Sequence, residues 1–185
     1  MPAYDKSDLE RRMHGAVEAL KHDLQGLRTG RASTSLVERL QVDYYGALTP
    51  LNQLASISVP EAHQIVIQPW DRGVLSAIDK AIQKSDIGIM PNVDGTVVRL
   101  NIPPLTEERR KELVRAVHKR MEDARVEVRN LRREGGDALK KEERDGEVGA
   151  DDARRQLDTL QKLTDRFVAD VDRLGGVKEQ EVMEV

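Results

Sequence analysis

The chain has 185 residues, of which 34% are charged, 38% are hydrophobic and only 3% are aromatic, and its formal net charge is −3. It contains no cysteine, which excludes disulfides, thiolate metal sites and cysteine nucleophiles. A core so poor in rings is built from aliphatic side chains, and with heavy Lys, Arg and Glu usage it favours long helices carrying apolar seams.

The stretch from Met1 to Arg12 is polar and charged, unlike a signal or transit peptide. No run approaches the ~20 apolar residues of a membrane span, so a cytoplasmic protein with no membrane partner is expected. The first periodic segment places Leu9, Met13, Ala16, Leu20, Leu24 and Leu27 three or four residues apart, after Ser7 as the expected cap.

Residues 31 to 104 change character. Leu40, Val42 and Tyr44 alternate with polar neighbours before Gly46 and Pro50. Ile57 with Val59, and Ile65 with Ile67, predict further strands. Residues 72 to 84 fit a short helix capped by Asp71 that buries Leu75, Ile78 and Ile82. Ile87 to Met90 and Thr96 to Ile102 flank a turn at Asn92 to Gly95, predicting a hairpin. The chain leaves the first helix near Gly30 and returns near Pro103 and Pro104, which marks these three residues as a candidate hinge.

After the two prolines, Thr106 is a candidate cap and Glu107 and Glu108 suit the positive end of a helix. Val117, Met121, Ala124, Val128, Leu131, Gly135 and Ala138 then alternate steps of four and three. Carried to about residue 144, this helix is ~39 residues and ~58 Å long. Gly135 and Gly136 are an expected weak point within it. The sequence from Asp145 to Gly149 turns the chain into a third helix with its seam at Ala153, Leu157, Leu160, Thr164, Phe167, Val171 and Leu174. Gly175 and Gly176 are expected to end or fray it. Three seams bury one another in a three-helix bundle. The expected fold class is α+β: a discontinuous bundle from 1–30 and 104–185, with a small β/α/β domain inserted at 31–103.

Catalytic chemistry is hard to find. His14, Glu18 and His22 stand at steps of four, but a solvated helix face is the ordinary reading of such a row. There is no phosphate-binding glycine loop, nucleophile elbow or zinc spacing. One ring of the Tyr44 and Tyr45 pair is expected in the small domain's core, and Trp70 is expected to pack beside the short helix. No enzyme activity, cofactor or metal is expected.

The informative feature is the charge distribution. Residues 109 to 133 hold ten basic residues against four acids, whereas 134 to 185 hold nine bases against fifteen acids. At 100° per residue, Arg125, Arg129, Arg132 and Arg133 cluster about a quarter-turn from the apolar seam, with Asn130 beside them. The guanidinium's paired donors and permanent charge suit phosphate. A solvated helix face is the competing reading, but the stripe is Arg-rich and Glu127 is its only acid between 124 and 133.

The sequence also resembles the ribosome recycling factors. The resemblance is carried in order by "LRTGRAS" at 27–33, "YYGALTPLNQLA" at 44–55, "IQPWD" at 67–71, "IPPLTEERRKELV" at 102–114, "ARVEVRNLRRE" at 124–134 and "LQKLTD" at 160–165. It implies an L-shaped pairing of the two domains and a monomeric factor acting after peptide release. Its implied partners are the large (50S) ribosomal subunit, through 23S rRNA, and elongation factor G, whose GTP hydrolysis accompanies separation of the subunits. By carry-over, Arg129 and Arg132, with Asn130 and Arg133 near them, grip rRNA. Arg125 joins them on the stripe, and Arg28 and Arg31 are further candidates. The glycine pairs 135–136 and 175–176 depart from the family pattern. The alternative is a helical protein-interaction module or chaperone-like scaffold with no RNA role, which accounts for the seams but not for the arginines.

Overall fold

Asp5, rather than Ser7, caps the first helix. α1 runs Lys6–Gln25, and the extended Asp5 accepts hydrogen bonds from the backbone N–H groups of Ser7 (2.9 Å) and Asp8 (3.2 Å). A carboxylate there satisfies two free amides and also places negative charge at the helix's positive end. The computed structural model describes residues 4–184. They fall into two units: one combines the chain up to Arg28 with Glu107–Glu184, and the other is Thr29–Thr106.

The first unit contains α1, α3 (Glu107–Arg144) and α4 (Ala150–Met183). α3 is 38 residues long, which at 1.5 Å per residue gives about 57 Å. The three seams form one core in which Met13, Val117, Val128 and Val171 are fully buried, together with Leu9, Leu20, Leu131, Leu160 and Phe167. Thr164 is the polar residue on the α4 seam, and its hydroxyl donates to the Leu160 carbonyl (2.8 Å).

Neither glycine pair interrupts its helix. α3 passes through Gly135 and Gly136, and α4 continues past Gly175 and Gly176 to Met183. The unbroken α4 corrects the expected end or fraying at Gly175 and Gly176, and packing explains the core-facing glycine of each pair. A Cβ on Gly135 would stand 2.5 Å from Leu9 Cδ1 and 3.0 Å from Leu160 Cδ2, so the glycine lets neighbouring side chains approach the α3 backbone. A Cβ on Gly175 would overlap the Met121 thioether. Tertiary contact outweighs the weak helix propensity at both positions.

The second unit pairs β1 (Gln41–Tyr44) with β2 (Ala47–Pro50). It also holds a four-stranded antiparallel sheet ordered β3 (Ala55–Glu61), β4 (Gln64–Pro69), β6 (Val97–Asn101) and β5 (Pro91–Asp94). Asp71 caps a short helical turn at Arg72–Val74 through Gly73 N (2.8 Å), and this turn leads into α2 (Leu75–Lys84). Ile78 and Ile82 of α2 share a core with Val42, Leu51, Ile65, Ile67, Val98 and Leu100.

The hairpin's first strand begins at Pro91, not Ile87, and Asp94 pairs with Val97 across Gly95 and Thr96. Gly95 takes φ +61°, which a glycine adopts without steric cost, so the reversal spans Asp94 to Val97, two residues later than the expected turn at Asn92 to Gly95. Trp70 is 69% exposed rather than packed. Strand parity is the reason: Ile65, Ile67 and Pro69 point inward, so Gln68 and Trp70 point out. Tyr44 packs on the core, whereas Tyr45 is exposed at φ +51° and donates from its hydroxyl to Asp71 Oδ2 (2.9 Å).

Candidate nucleic-acid interface

The outer face of α3 is fixed by what its inner face buries. Ala124, Val128 and Leu131 lie in the bundle core, which turns Arg129, Asn130, Arg132 and Arg133 to solvent. With the half-exposed Val126, these four residues line a shallow open depression.

The guanidinium groups differ in how free they are. Arg129 is 55% exposed and makes one long ion pair, to Glu122 Oε1 at 3.4 Å. Arg132 donates from Nη1 to the neutral amide oxygen of Gln161 in α4 (3.3 Å). Arg133 donates from Nη2 to the Asn130 side-chain carbonyl. Each keeps most of its five N–H donors for an outside partner. Asn130 retains its amide N–H groups but shares its carbonyl with Arg133.

Arg125 is placed differently. Only 23% of its side chain is exposed, and it donates to Asp172 of α4 from Nε (2.9 Å) and Nη2 (2.5 Å) and to Glu122 from Nη1 (3.1 Å). Hydrogen bonding to Asp172, ahead of that to Glu122 and against a smaller opposing effect of burial, raises its pKa above the ordinary arginine value. Two carboxylates thus hold the Arg125 guanidinium, which is less free to meet an outside partner than those of Arg129, Arg132 and Arg133. The sequence could not separate it from them, because Asp172 lies 47 positions away.

Glu134 follows Arg133 directly but does not compete for it. Arg12 of α1 binds both its oxygens, at 2.7 and 2.9 Å. Arg28 and Arg31 are exposed, one in each unit. Gly30 takes φ +73°, and the Leu105 side chain sits where a Cβ would stand, while Pro103 and Pro104 are exposed in the run before α3. His14 stands edge-on to Phe167, with ring centres 6.5 Å apart. Among the described residues, no group of three His, Asp or Glu side chains is placed to hold a metal ion, and no helix is long and apolar enough to cross a membrane.

Residues 20–183 match the family model described as ribosome recycling factor. The chain belongs to the ribosome recycling factor family. The ribosome-recycling factor of Rhizorhabdus wittichii is 54% identical over 183 residues, covering 99% of both chains. A solution structure of a ribosome recycling factor matches with a TM-score of 0.72 and 49% identity, over 97% of this chain and 95% of that one. A second structural match, at TM-score 0.60 and 46% identity, covers 96% of each chain. It is the T. thermophilus ribosome recycling factor, described together with E. coli elongation factor G bound to the E. coli post-termination complex. The fold is the one this family shares.

Proposed function

We propose that this protein recycles ribosomes in the cytoplasm, binding the 23S rRNA of the large subunit after termination and, with elongation factor G and GTP, splitting the complex to release subunits, mRNA and tRNA. Arg129, Arg132 and Arg133, with Asn130, supply the grip. The observation that carries this reading is a rigid helical face whose three guanidiniums are exposed and only lightly engaged. Folded RNA is bound mainly through shape and backbone, so arginines held on a stiff rod suffice without a base-reading pocket. The protein itself makes and breaks no covalent bond; GTP hydrolysis belongs to its partner.

A helical scaffold would need an apolar face to offer another protein. Here the seams of α1, α3 and α4 are used against one another. The direct test incubates the protein with post-termination ribosomes, elongation factor G and GTP, and follows subunit separation by light scattering. Separation that requires all three components is the expected result. Intact ribosomes in the presence of active partners would refute the proposal.

A further inference from the structure

We infer that Gln161 and Asp165 of α4 are positioning residues for Arg132, aiming its guanidinium at the RNA; this rests on the arginine face being the RNA contact. Arg132 sits on the surface of α3, and a long arginine side chain loses much rotamer freedom when it is fixed. Part of that cost is met before RNA arrives if a neighbour already restrains it. Gln161 Oε1 accepts from Arg132 Nη1 at 3.3 Å, and Gln161 Nε2 donates to Asp165 Oδ1 at 2.8 Å.

The orientation of this relay is determined by chemistry. A carboxylate only accepts, so Asp165 takes an N–H from the amide, and the amide oxygen is left facing Arg132. The flipped amide would set its NH2 against the guanidinium and its oxygen against the carboxylate. Spacing of four on α4 brings the two side chains together. A glutamine is also suited to the task because its oxygen holds the guanidinium without cancelling its charge. Asp165 is kept one residue back from Arg132 and exerts its influence through the amide.

Affinity of the full-length protein for purified large ribosomal subunits, measured across a potassium chloride series, tests this. Gln161→Ala is expected to weaken binding roughly three- to tenfold, as for loss of a charge-assisted hydrogen bond partly screened by solvent. The salt dependence should stay as in the native protein, since no phosphate contact is deleted, whereas Arg132→Gly should flatten it. Asp165→Ala removes a negative charge, so electrostatics alone predicts tighter RNA binding, while loss of positioning predicts weaker binding. Asp165→Asn keeps the acceptor oxygen and should restore native affinity or better. Gln161→Ala should add nothing to Arg132→Gly. All three α4 substitutions are on the exposed surface, and unchanged thermal midpoints will confirm folding.

Native affinity in Gln161→Ala, tighter binding in Asp165→Ala, or additive effects of Gln161→Ala and Arg132→Gly would each overturn the inference. If Arg132→Gly weakens binding while the α4 variants do not, the inference falls and the arginine face stands. If Arg132→Gly itself leaves affinity unchanged, the assignment of that residue to the RNA contact falls as well.

Discussion

Arg125 and Asp172 tie α3 to α4 through two N–H groups converging on one carboxylate oxygen, Nε at 2.9 Å and Nη2 at 2.5 Å. The same arginine reaches Glu122, which in turn meets Arg129. A guanidinium engaged in this way contributes more to helix packing than to an outside ligand. Arg125→Gln is therefore expected to lower stability by ~0.5–1 kcal/mol, the upper part of the range for ion pairs that solvent still reaches. It should leave the salt dependence of ribosome binding almost unchanged. Urea unfolding and the binding series check the two halves separately. A salt response reduced as much as in Arg129→Gln would place Arg125 on the RNA after all.

The adjacent glycines of α3 call for opposite responses to the same substitution. Gly135 faces Leu9 and Leu160 at distances too short for a methyl group, whereas a Cβ on Gly136 would stand 3.7 Å from Leu157 Cδ2, an ordinary contact. Gly136→Ala should stabilise by ~0.5–1 kcal/mol through helix propensity. Gly135→Ala gains the same propensity but forces two core leucines to move, at a cost of ~1–3 kcal/mol, and should be destabilising on balance. Thermal melts of the two variants suffice. If both are stabilising, the close approach at Gly135 is not what holds a glycine there.

Much of this fold was legible because periodicity reports directly on burial. The alternation of threes and fours put Val117, Val128, Phe167 and Val171 in the bundle core, and the alternation of twos put Val42, Ile65 and Ile67 in the other core. What misled was local reasoning about residues whose fate is decided by distant ones. Glycine propensity argued for a break at Gly175, but the partner that accounts for it, Met121, lies on another helix. The stripe on α3 could be read from spacing alone. Which of its arginines is engaged internally could not, since Asp172, Glu134's partner Arg12 and Gln161 all come from other helices. Angles around one helix locate a face; only the packed neighbours reveal how much of its charge is free.

For the three exposed arginines, the expected signature is a change of slope. Each side chain that neutralises a phosphate releases condensed counterions, so deleting it should reduce the slope of log affinity against log salt by up to about one. Arg129→Gln, Arg132→Gly and Arg133→Gln should each do so. Asn130→Ala should weaken binding without altering the slope, because an amide releases no counterion. Filter binding or sedimentation with large subunits over a potassium chloride gradient provides the slopes. Equal slopes across the set would separate these arginines from the phosphate backbone.

Arg12 binds both oxygens of Glu134, and this hydrogen bonding, opposed by a smaller effect of burial, holds the Glu134 pKa below the usual carboxylate range. Asp8 is lowered too, chiefly by its hydrogen bond from Arg11. A carboxyl whose pKa is lower folded than unfolded binds protons more readily in the unfolded chain. Its contribution to stability is therefore complete above the unfolded-state pKa and is lost as pH falls through the folded-state value. Glu134→Gln should melt below the native protein at neutral pH, and the gap should close as pH is taken beneath the carboxylate range. Melting curves of both proteins between about pH 7 and pH 3 provide the comparison. A gap of constant size down to the acid end would mean that Glu134 acts there through the shape of its side chain rather than through its charge.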